Sequence, residues 1–331
     1  MRFGQYSYLK RQDTAISSVH FESVNWPNAL MRLEGAYAAN TIRSYRSDFL
    51  IFEMWCRQER LAALPATGKS VAEFIQAQAK TRSPATICRR QASIAKIHRL
   101  LDYPDPTNSE EVNLAARIVL RLKGRRQKQA LGLANHLKAK LLDTCDNTLR
   151  GLRDKALISV GYDTLCRRSE LVSLRIENIA KSQDASATVL IEKSKTDPLG
   201  HGRLAYLSKS TTIILENWLA AAKSNSGYLF RQVHGCRSMD TPLRPHSVAR
   251  IIKERATKAK LDRDIIINLS GHSMRVGAAQ DMAGAGISLP AIMLAGGWKS
   301  VEMVMRYIEH TDIQKSGMAQ LYTNNAFADE N

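Results

Sequence analysis

The sequence predicts a mainly α-helical fold, with a small β-sheet in the C-terminal half and two domains along the chain. Its 331 residues are sufficient for two domains, and 44% of them are hydrophobic, which is enough to fill real cores. Apolar residues recur at spacings of three and four in most segments, the period of amphipathic helices. The exception is a pair of short segments within residues 187–207 that are typical of strands.

The first half of the chain predicts a helical domain over residues 21–122. Its first helix begins near Asn40, and a second starts at Ser70. A third opens with Ser83-Pro84, a capping residue followed by proline at the first helical position, and a fourth covers residues 110–122. The apolar stripes that predict the first and third helices are Ile42, Tyr45, Phe49, Phe52 and Trp55, and Ile87, Ile94, Ile97 and Leu101.

Cationic side chains are expected on the outer faces of these helices, and a basic segment follows them. The expected exposed cations are Arg43 and Arg46 on the first helix, and Arg89, Arg90, Lys96 and Arg99 on the third. The basic run at 123–129 predicts an interdomain linker over 123–132, either as a solvated loop or along a phosphate backbone. Residues 1–20 show no clear periodicity, so a flexible or loosely docked arm is expected there.

The second half, over residues 133–310, predicts helices with one β interruption. Ala187–Ile191 and Arg203–Leu207 are the predicted strands, and the Gly- and Pro-containing segment between them predicts a turn or mobile loop. A basic helix is expected over Val248–Lys260, and its exposed candidates are Arg250, Lys253, Arg255 and Lys258. Such a helix could occupy a major groove, although an ordinary solvated face needs no partner.

The charge balance points to a polyanionic partner. Forty-eight Lys and Arg against 31 Asp and Glu leave a net charge of +17, and neutralising phosphates with such a surplus releases condensed counterions. An anionic membrane is the competing interpretation, but the sequence has neither a long uncharged apolar run nor a short basic amphipathic tail. The first residues lack the apolar core of a secretory signal, so a cytosolic, cytoplasmic protein is expected.

Five cysteines are scattered along the chain and never form a C-x-x-C pair. Neither a disulfide framework nor a zinc site fits this pattern, so no metal is expected. Four other short segments carry residues capable of chemistry: Leu165–Leu171, Ser194–Thr196, Gly271–Gly277, and Gly296–Trp298 followed by Tyr307. His272 and Arg275 are three residues apart and would share one side of a helix start, and Ser300 can cap a short helix that carries Tyr307.

Each of these residues alone has an ordinary explanation, as a surface cation or a packed ring, but the combination is specific. Attack on a phosphodiester needs a nucleophile, a route for its proton, cations for the non-bridging oxygens and an acid for the leaving alkoxide. Two guanidiniums, an imidazole, an ammonium and a phenol supply that set without metal. The sequence offers no clustered carboxylates, no G-x-x-x-x-G-K-[ST] loop and no G-x-S-x-G elbow as competing chemistry.

These residues resemble the catalytic pattern of the tyrosine recombinases, also called phage integrases. The matching positions are Arg167-x-Ser169-Glu170-Leu171, Lys195, His272-x-x-Arg275, Trp298 and Tyr307, and their spacings in sequence agree as well. The resemblance is strong over 150–310. Before that it is looser and depends mainly on residues 40–45, Asn-Thr-Ile-Arg-Ser-Tyr. It implies the two-domain tyrosine recombinase architecture, a helical core DNA-binding domain followed by a catalytic domain.

The resemblance also implies a role for each matching residue. Tyr307 would attack the scissile phosphate and form a 3′-phosphotyrosine link, and Lys195 would protonate the departing 5′-oxygen. Arg167 and Arg275 would hold the non-bridging oxygens. The remaining matches are His272, which would help to move the tyrosine proton, Trp298, which would donate its indole N–H to the phosphate, and Glu170, which would keep the site in order. Spacing alone does not separate Arg167 from Arg168; the family pattern does.

The resemblance further implies double-stranded DNA as the partner, with an inverted-repeat target site, and strand exchange without ATP or another cofactor. The residues expected to contact this DNA are Arg43, Arg89, Arg90, Lys96, Arg250, Lys253 and Lys258. The tail over 311–331 would dock on a neighbouring protomer and so build a homo-tetramer on two duplexes. A tail folded onto its own domain is the alternative, and the sequence does not choose between them.

Two other functions stay open at this point. One is a non-catalytic, sequence-specific DNA-binding protein of the same fold, which would be expected to lack one or more catalytic positions; here all of them are filled. The other is a related phosphotyrosine enzyme, a type IB topoisomerase or a telomere resolvase. The domain plan and Trp298 favour the recombinase.

Overall fold

A computed structural model describes residues 25–124, 129–192, 200 and 202–308. The chain divides into two compact units, Met1–Gln127 and Lys128–Asn331. Several predicted features lie outside the described residues: the arm at 1–20, residues 125–128 of the linker, Lys195 in the segment between the two predicted strands, and the tail at 311–331. None of the helices in the described ranges combines the length and apolar character needed to cross a membrane.

The first unit is helical in its described part. Its helices are α1 (Trp26–Ala29), α2 (Ala39–Gln58), α3 (Gly68–Ala79), α4 (Pro84–Leu100) and α5 (Glu110–Lys123), with 3-10 turns at Leu30–Leu33 and Pro106–Asn108. Ser83 caps α4 as predicted, because its Oγ accepts the N–H of Thr86 and Pro84 occupies the first helical position. Thr67 caps α3 in the same way through the N–H of Ser70.

The core of the first unit follows the predicted stripes. Phe49 and Phe52 of α2 are fully buried, and the ring of Phe52 packs edge-on against Phe74 of α3 at 5.1 Å between centroids. Ile94 and Ile97 of α4 are buried in the same core. Helix α2 packs mainly against α4, whereas α3 packs mainly against α5 and also contacts α4.

The expectation that Arg90 is exposed is wrong. Only 5% of the residue is accessible, its Nη1 donates to Gln78 Oε1, and its Nε lies 3.7 Å from a carboxylate oxygen of the buried Asp48. Arg90 is directed towards Gln78 of α3 and Asp48 of α2, so its side chain lies between the helices and not on the solvent-facing side of α4. Arg43 and Arg89 are exposed as expected, and Lys96 is half-buried.

The second unit combines helices with two small antiparallel sheets, so the predicted mainly helical class is confirmed and one further small sheet is added to the one that was predicted. The helices are α6 (Asn135–Asp143), α7 (Leu149–Asp163), α8 (Arg168–Ser173), α9 (Lys209–Ala222), α10 (Pro245–Lys258), α11 (Arg263–Asn268), α12 (Ser273–Gly284), α13 (Leu289–Gly296) and α14 (Val301–Ile308). The strands are β1 (Ile179–Lys181), β2 (Ala187–Ile191), β3 (Arg203–Leu207), β4 (Arg231–His234) and β5 (Arg237–Pro242), and a 3-10 turn covers Ile176–Asn178.

The two predicted strands, β2 and β3, pair antiparallel from Ala187 opposite Leu207 to Ile191 opposite Arg203. Strand β1 joins the other edge of β2, and β4 and β5 form a separate hairpin. The core beneath the three-stranded sheet contains Trp218 of α9, whose indole N–H donates to the carbonyl of Leu229.

The expected basic helix is α10, and one of its cations is not exposed. Arg255 is 4% accessible, and its Nε and Nη2 donate to Asp154 Oδ2 of α7 while Nη1 donates to the carbonyl of Thr144. Its expected exposure is therefore wrong, because α10 packs its Arg255 side against a buried carboxylate. Lys253 is half-buried and donates to the carbonyl of Ile267 at 3.0 Å.

Candidate active site

The turn between α7 and α8 orients Arg167. Leu165 has φ of +51°, a left-handed conformation that turns the chain sharply before Arg167, the residue that precedes α8. The buried Glu170 accepts the backbone N–H of Arg167 at 3.0 Å and its guanidinium Nη1 at 2.7 Å. One carboxylate thus fixes both the backbone and the side chain of Arg167. Arg168, next in sequence, is exposed and lies against Gly271.

Arg275, in the first turn of α12, is the most buried cation of this region, at 1% accessibility. Its Nη1 donates to the carbonyl of Leu165 at 2.5 Å, and its Nη2 has no hydrogen-bond partner in the described part of the chain. Burial, followed by the charge of Arg167, lowers the pKa of Arg275 to about 10. Two neighbouring guanidiniums, with Glu170 as the nearby carboxylate, favour an anion beside them.

Trp298 and Tyr307 lie next to Arg275. The guanidinium of Arg275 lies over the Trp298 ring at 4.1 Å, and the rings of Trp298 and Tyr307 are 5.6 Å apart between centroids. Trp298 is 5% accessible, and its Nε1 is a second buried donor without a partner among the described residues. Tyr307 is half-buried on α14, close to the end of the described chain.

Two consecutive glycines permit the turn that carries Trp298. A Cβ on Gly296 would lie 2.0 Å from the Trp298 ring, so no other residue fits beneath the indole. Gly297 ends α13 with φ of +64°, a conformation that costs other residues about 1–2 kcal/mol. The sequence predicts that this glycine pair interrupts the helix. The interruption is what allows the indole to lie beside Arg275.

His272 immediately precedes α12, three residues before Arg275, and its backbone N–H donates to Ser270 Oγ. The residue keeps an exposed surface, but the pKa of its imidazole is lowered by partial desolvation and then by the charges of Arg275, Arg168 and Arg167. The ring is therefore neutral at neutral pH and can accept a proton. His272 immediately precedes the helix and Arg275 lies in its first turn, so both are at the helix start that their spacing predicts.

Sequence reasoning missed two residues that support this cluster. Arg203 at the start of β3 donates from Nη2 to the carbonyl of Thr164 and from Nη1 to the carbonyl of Ala295, and so joins the turn before Arg167 to the end of α13. Gln280 of α12 donates from Nε2 to the carbonyl of Tyr307 at 3.2 Å. Their partners are backbone carbonyls 27 to 92 residues away, which leave no signal in a single sequence.

The expected DNA-contacting residues are distributed over both units. Arg43, Arg89 and the half-buried Lys96 lie on α2 and α4 of the first. In the second, Lys258 is exposed, whereas the exposed Arg250 donates to Glu254 on the same helix. Within the described ranges, no three side chains among His, Cys, Asp and Glu are grouped in a way that could hold a metal ion.

A mainly helical scaffold whose second unit brings arginines, a histidine, a tryptophan and a tyrosine together is typical of the tyrosine recombinases. A family model described as the phage integrase family matches residues 133–313, more than half of the chain. The chain therefore belongs to the phage integrase family, and it is an enzyme of the tyrosine recombinase type.

Two curated relatives cover nearly the whole chain. The integrase/recombinase XerD homologue of Selenomonas ruminantium is 32% identical over 300 residues, 87% of this chain and 86% of the relative. Recombinase Cre of Escherichia phage P1 is 28% identical over 314 residues, 88% of this chain and 90% of Cre. The family resemblance seen in the motifs is thus confirmed, and the chain is similar to Cre.

Solved structures share the fold. The XerH site-specific recombinase bound to palindromic difH substrate aligns with a TM-score of 0.63 at 18% identity, over 85% of this chain and 80% of that chain. The Tn1549 transposon integrase in complex with a circular intermediate DNA aligns with a TM-score of 0.62 at 14% identity, over 91% of this chain and 100% of that chain. The predicted fold class, a two-domain tyrosine recombinase architecture, is confirmed.

Proposed function

We propose that the chain cuts and rejoins DNA strands at specific sites through a covalent 3′-phosphotyrosine on Tyr307, without metal or ATP. The observation that carries the proposal is a pair of buried N–H groups, Arg275 Nη2 and Trp298 Nε1, that have no partner within the described residues and belong to side chains next to the phenol. A buried donor without a partner costs about 1–3 kcal/mol. The oxygens of a bound phosphodiester would offset that cost.

The proposed chemistry transfers the phosphoryl group from the 5′-oxygen of the DNA to the phenolic oxygen of Tyr307, so one phosphodiester bond is made as another is broken. The oxygen of Tyr307 forms a bond to phosphorus, the bond from phosphorus to the 5′-oxygen breaks, and that oxygen leaves with the electron pair. His272, whose lowered pKa keeps its ring neutral, accepts the tyrosine proton, and Lys195 protonates the leaving oxygen. Because one phosphodiester replaces another, attack by a freed 5′-hydroxyl reverses the step and rejoins a strand without ATP.

The cations stabilise the negative charge of the transition state. Arg167 and Arg275 bind the non-bridging oxygens, where the planar guanidinium suits phosphate, and Trp298 donates its indole N–H to one of them. Glu170 is the positioning residue, since its carboxylate holds the Arg167 guanidinium at 2.7 Å. These interactions become stronger as charge develops on the phosphoryl oxygens, so they accelerate cleavage rather than only binding the DNA.

The proposed partner is double-stranded DNA with an inverted-repeat target, bound by four copies of the chain on two duplexes. A net charge of +17 and the palindromic substrate of the XerH complex support this proposal. In the proposed domain plan, residues 21–122 form the core DNA-binding domain, 123–132 the linker and 133–310 the catalytic domain. The tail at 311–331 would dock on a neighbouring protomer.

Covalent trapping tests the chemistry. Sites selected from random duplex DNA are nicked so that the cut strand cannot religate, and protein–DNA adducts are then mapped by mass spectrometry. The wild type should form an adduct at Tyr307, Tyr307→Phe should bind the same sites without forming it, and Tyr206→Phe should behave as wild type because Tyr206 is an exposed residue of β3. An adduct in Tyr307→Phe, or specific wild-type binding without any adduct, would overturn the proposal.

A further inference from the structure

A completely buried carboxylate holds an exposed arginine in the first unit. Asp48 of α2 is 0% accessible, and its two oxygens accept Nε of Arg89 at 2.8 Å and Nη2 at 2.9 Å. Ser93 of α4 donates to the same carboxylate at 3.2 Å. The Arg89 side chain is nevertheless 55% exposed. A long, flexible side chain at the surface is therefore fixed in direction by a group that cannot itself move.

The same carboxylate has a second cationic neighbour. Nε of the buried Arg90 lies 3.7 Å from Asp48 Oδ1, and Arg90 otherwise bonds to the neutral amide of Gln78. One negative charge thus serves two guanidiniums, and the cluster keeps a net positive charge beneath an exposed arginine. A purely structural ion pair would need only one of these arginines. The surplus charge favours a partner rich in hydrogen-bond acceptors.

The edge of Arg89 that Asp48 leaves free has a defined geometry. A guanidinium has five N–H donors in one plane, and Asp48 uses the edge formed by Nε and Nη2. The edge formed by Nη1 and Nη2 keeps two parallel donors that point away from the carboxylate. Two parallel donors match the O6 and N7 acceptors of guanine in the major groove, which is the commonest specific contact between arginine and DNA.

The surroundings of Arg89 allow a base edge to approach. Ala85 and Ala92, the positions four residues before and three residues after Arg89 on its helix face, are exposed and carry small side chains. Helix α4 has 17 residues, about 25 Å of helix, and the major groove is about 12 Å wide. The helix can therefore enter a groove without a bulky residue holding Arg89 away from the bases.

We propose that Arg89, oriented by Asp48, recognises a guanine in the major groove of the recombination site. Arg89 is the specificity-determining residue, and Asp48 is a positioning residue that acts through it. This inference rests on the proposed function only in requiring duplex DNA as the partner. It differs from the general electrostatic contribution of the basic surface, because a phosphate contact would strengthen binding to every sequence equally.

Selection of binding sites from random duplex DNA tests the inference with four proteins: wild type, Arg89→Lys, Asp48→Asn and Arg99→Lys. Arg99 is the matched control, since it is an exposed arginine of the same helix that also bonds to a carboxylate, that of Asp105. Wild type and Arg99→Lys should share a guanine preference at one position of each half-site. Arg89→Lys should lose about ten-fold or more in discrimination at that position alone, and Asp48→Asn should weaken the same preference.

A base analogue makes the test independent of the stability of the variants. Replacing that guanine by 7-deazaguanine removes the N7 acceptor and should weaken wild-type binding by about ten-fold, and it should weaken binding by Arg89→Lys less, because lysine lacks the planar pair of donors. A melting curve will show whether Asp48→Asn folds. If it does not, Ser93→Ala is used instead, because this variant removes one of the donors that hold the Asp48 carboxylate. Its expected effect is a smaller loss at the same position.

The outcomes separate this inference from the proposed function. Equal weakening of all sequences by Arg89→Lys, or an unchanged guanine preference, would overturn guanine recognition while the wild-type adduct at Tyr307 still formed. A wild-type protein that selects no sequence and forms no adduct would overturn both proposals. Loss of the preference in Arg89→Lys with the adduct still formed at high protein concentration would support both.

Discussion

Trp298 combines three properties in one side chain: a ring under the Arg275 guanidinium, a ring beside Tyr307, and a buried donor without a partner among the described residues. Phenylalanine keeps the first two and removes the third. Trp298→Phe should therefore lower the rate of strand cleavage by about 10- to 100-fold with little change in DNA affinity, since the lost donor acts on charge that develops in the transition state. Single-turnover cleavage of nicked sites and gel-shift titrations measure the two quantities.

Histidine at position 298 is the control, because an imidazole restores a ring N–H. Trp298→His should cleave faster than Trp298→Phe, because its imidazole can again donate an N–H to the phosphate. Equal rates for the two variants, or a loss confined to DNA affinity, would show that the ring packs in the site without donating to the phosphate.

The pKa of His272 should respond to a neighbour outside the proposed catalytic set. Desolvation and Arg275 lower this pKa first, and the exposed Arg168 lowers it further. Arg168→Gln removes one positive charge, so the protonated imidazole becomes easier to form and the pKa rises. In a plot of cleavage rate against pH, the fall in rate on the acidic side should then occur at higher pH. Single-turnover cleavage between about pH 5 and 8 measures this acidic limb.

Arg168→Lys keeps the charge and should leave the acidic limb where the wild type has it. The direction is fixed by the sign of the interaction: losing a cation can only raise the pKa of a nearby imidazole. A limb that stays in place in Arg168→Gln would mean that a group other than His272 titrates in the cleavage step.

At the scale of elements, Arg203 connects three parts of the second unit. It begins β3, donates to the carbonyl of Thr164 at the end of α7, and donates to that of Ala295 near the end of α13. Its Cδ also lies against Gly297, in the turn that carries Trp298. The residue thus fixes the distance between the turn of Arg167 and the turn of Trp298.

Arg203→Met should lower the free energy of unfolding by about 2–4 kcal/mol, because two carbonyls lose charged donors. The cleavage rate should also fall at a temperature where the variant is fully folded, and the loss of stability cannot explain that fall. The reason is that Trp298 is no longer held at a fixed distance from Arg167. Denaturant unfolding and single-turnover cleavage are the measurements. Arg237→Met, at the exposed start of β5, is the matched control and should change neither. Wild-type cleavage by a folded Arg203→Met protein would contradict the positioning role.

Helices and strands that are specified by residues close together in the sequence could be predicted well. Strands β2 and β3 agree with the prediction residue for residue, because every second side chain of β2 is buried. The cap at Ser83 was equally predictable. Strands β1, β4 and β5 were missed, since they have three to six residues and few buried positions.

Features that depend on distant partners could not be predicted. Arg255 looks like an exposed cation of a basic helix, yet its partner Asp154 is 101 residues away. Arg90 is buried for the same kind of reason, because Asp48 and Gln78 come from other helices. The motifs did predict which residues the site brings together, Arg167, Arg275, Trp298 and Tyr307, while their catalytic roles stay predictions for the trapping assay.

At the scale of the whole molecule, the net charge should determine how strongly DNA affinity depends on salt concentration, and that dependence can be measured. With a net charge of +17, affinity for DNA should fall steeply with salt, because each neutralised phosphate releases condensed counterions. Six to ten phosphate contacts per bound chain would give a slope of about −5 to −9 in a plot of log affinity against log salt concentration. A slope near zero would argue against a DNA partner altogether.

Substitution of single lysines distinguishes the effect of a direct phosphate contact on the salt dependence from the effect of net charge. Lys258 is exposed at the end of α10, and replacing it by glutamine should reduce the magnitude of the slope by about one if it contacts a phosphate. Lys181→Gln changes the net charge by the same amount, but Lys181 is already bonded to Glu216 and should leave the slope unchanged. Equal effects of the two variants would mean that the overall field of the protein, rather than phosphate contacts at defined positions, sets the salt dependence. A smaller slope for Lys258→Gln alone would place α10 on the DNA backbone.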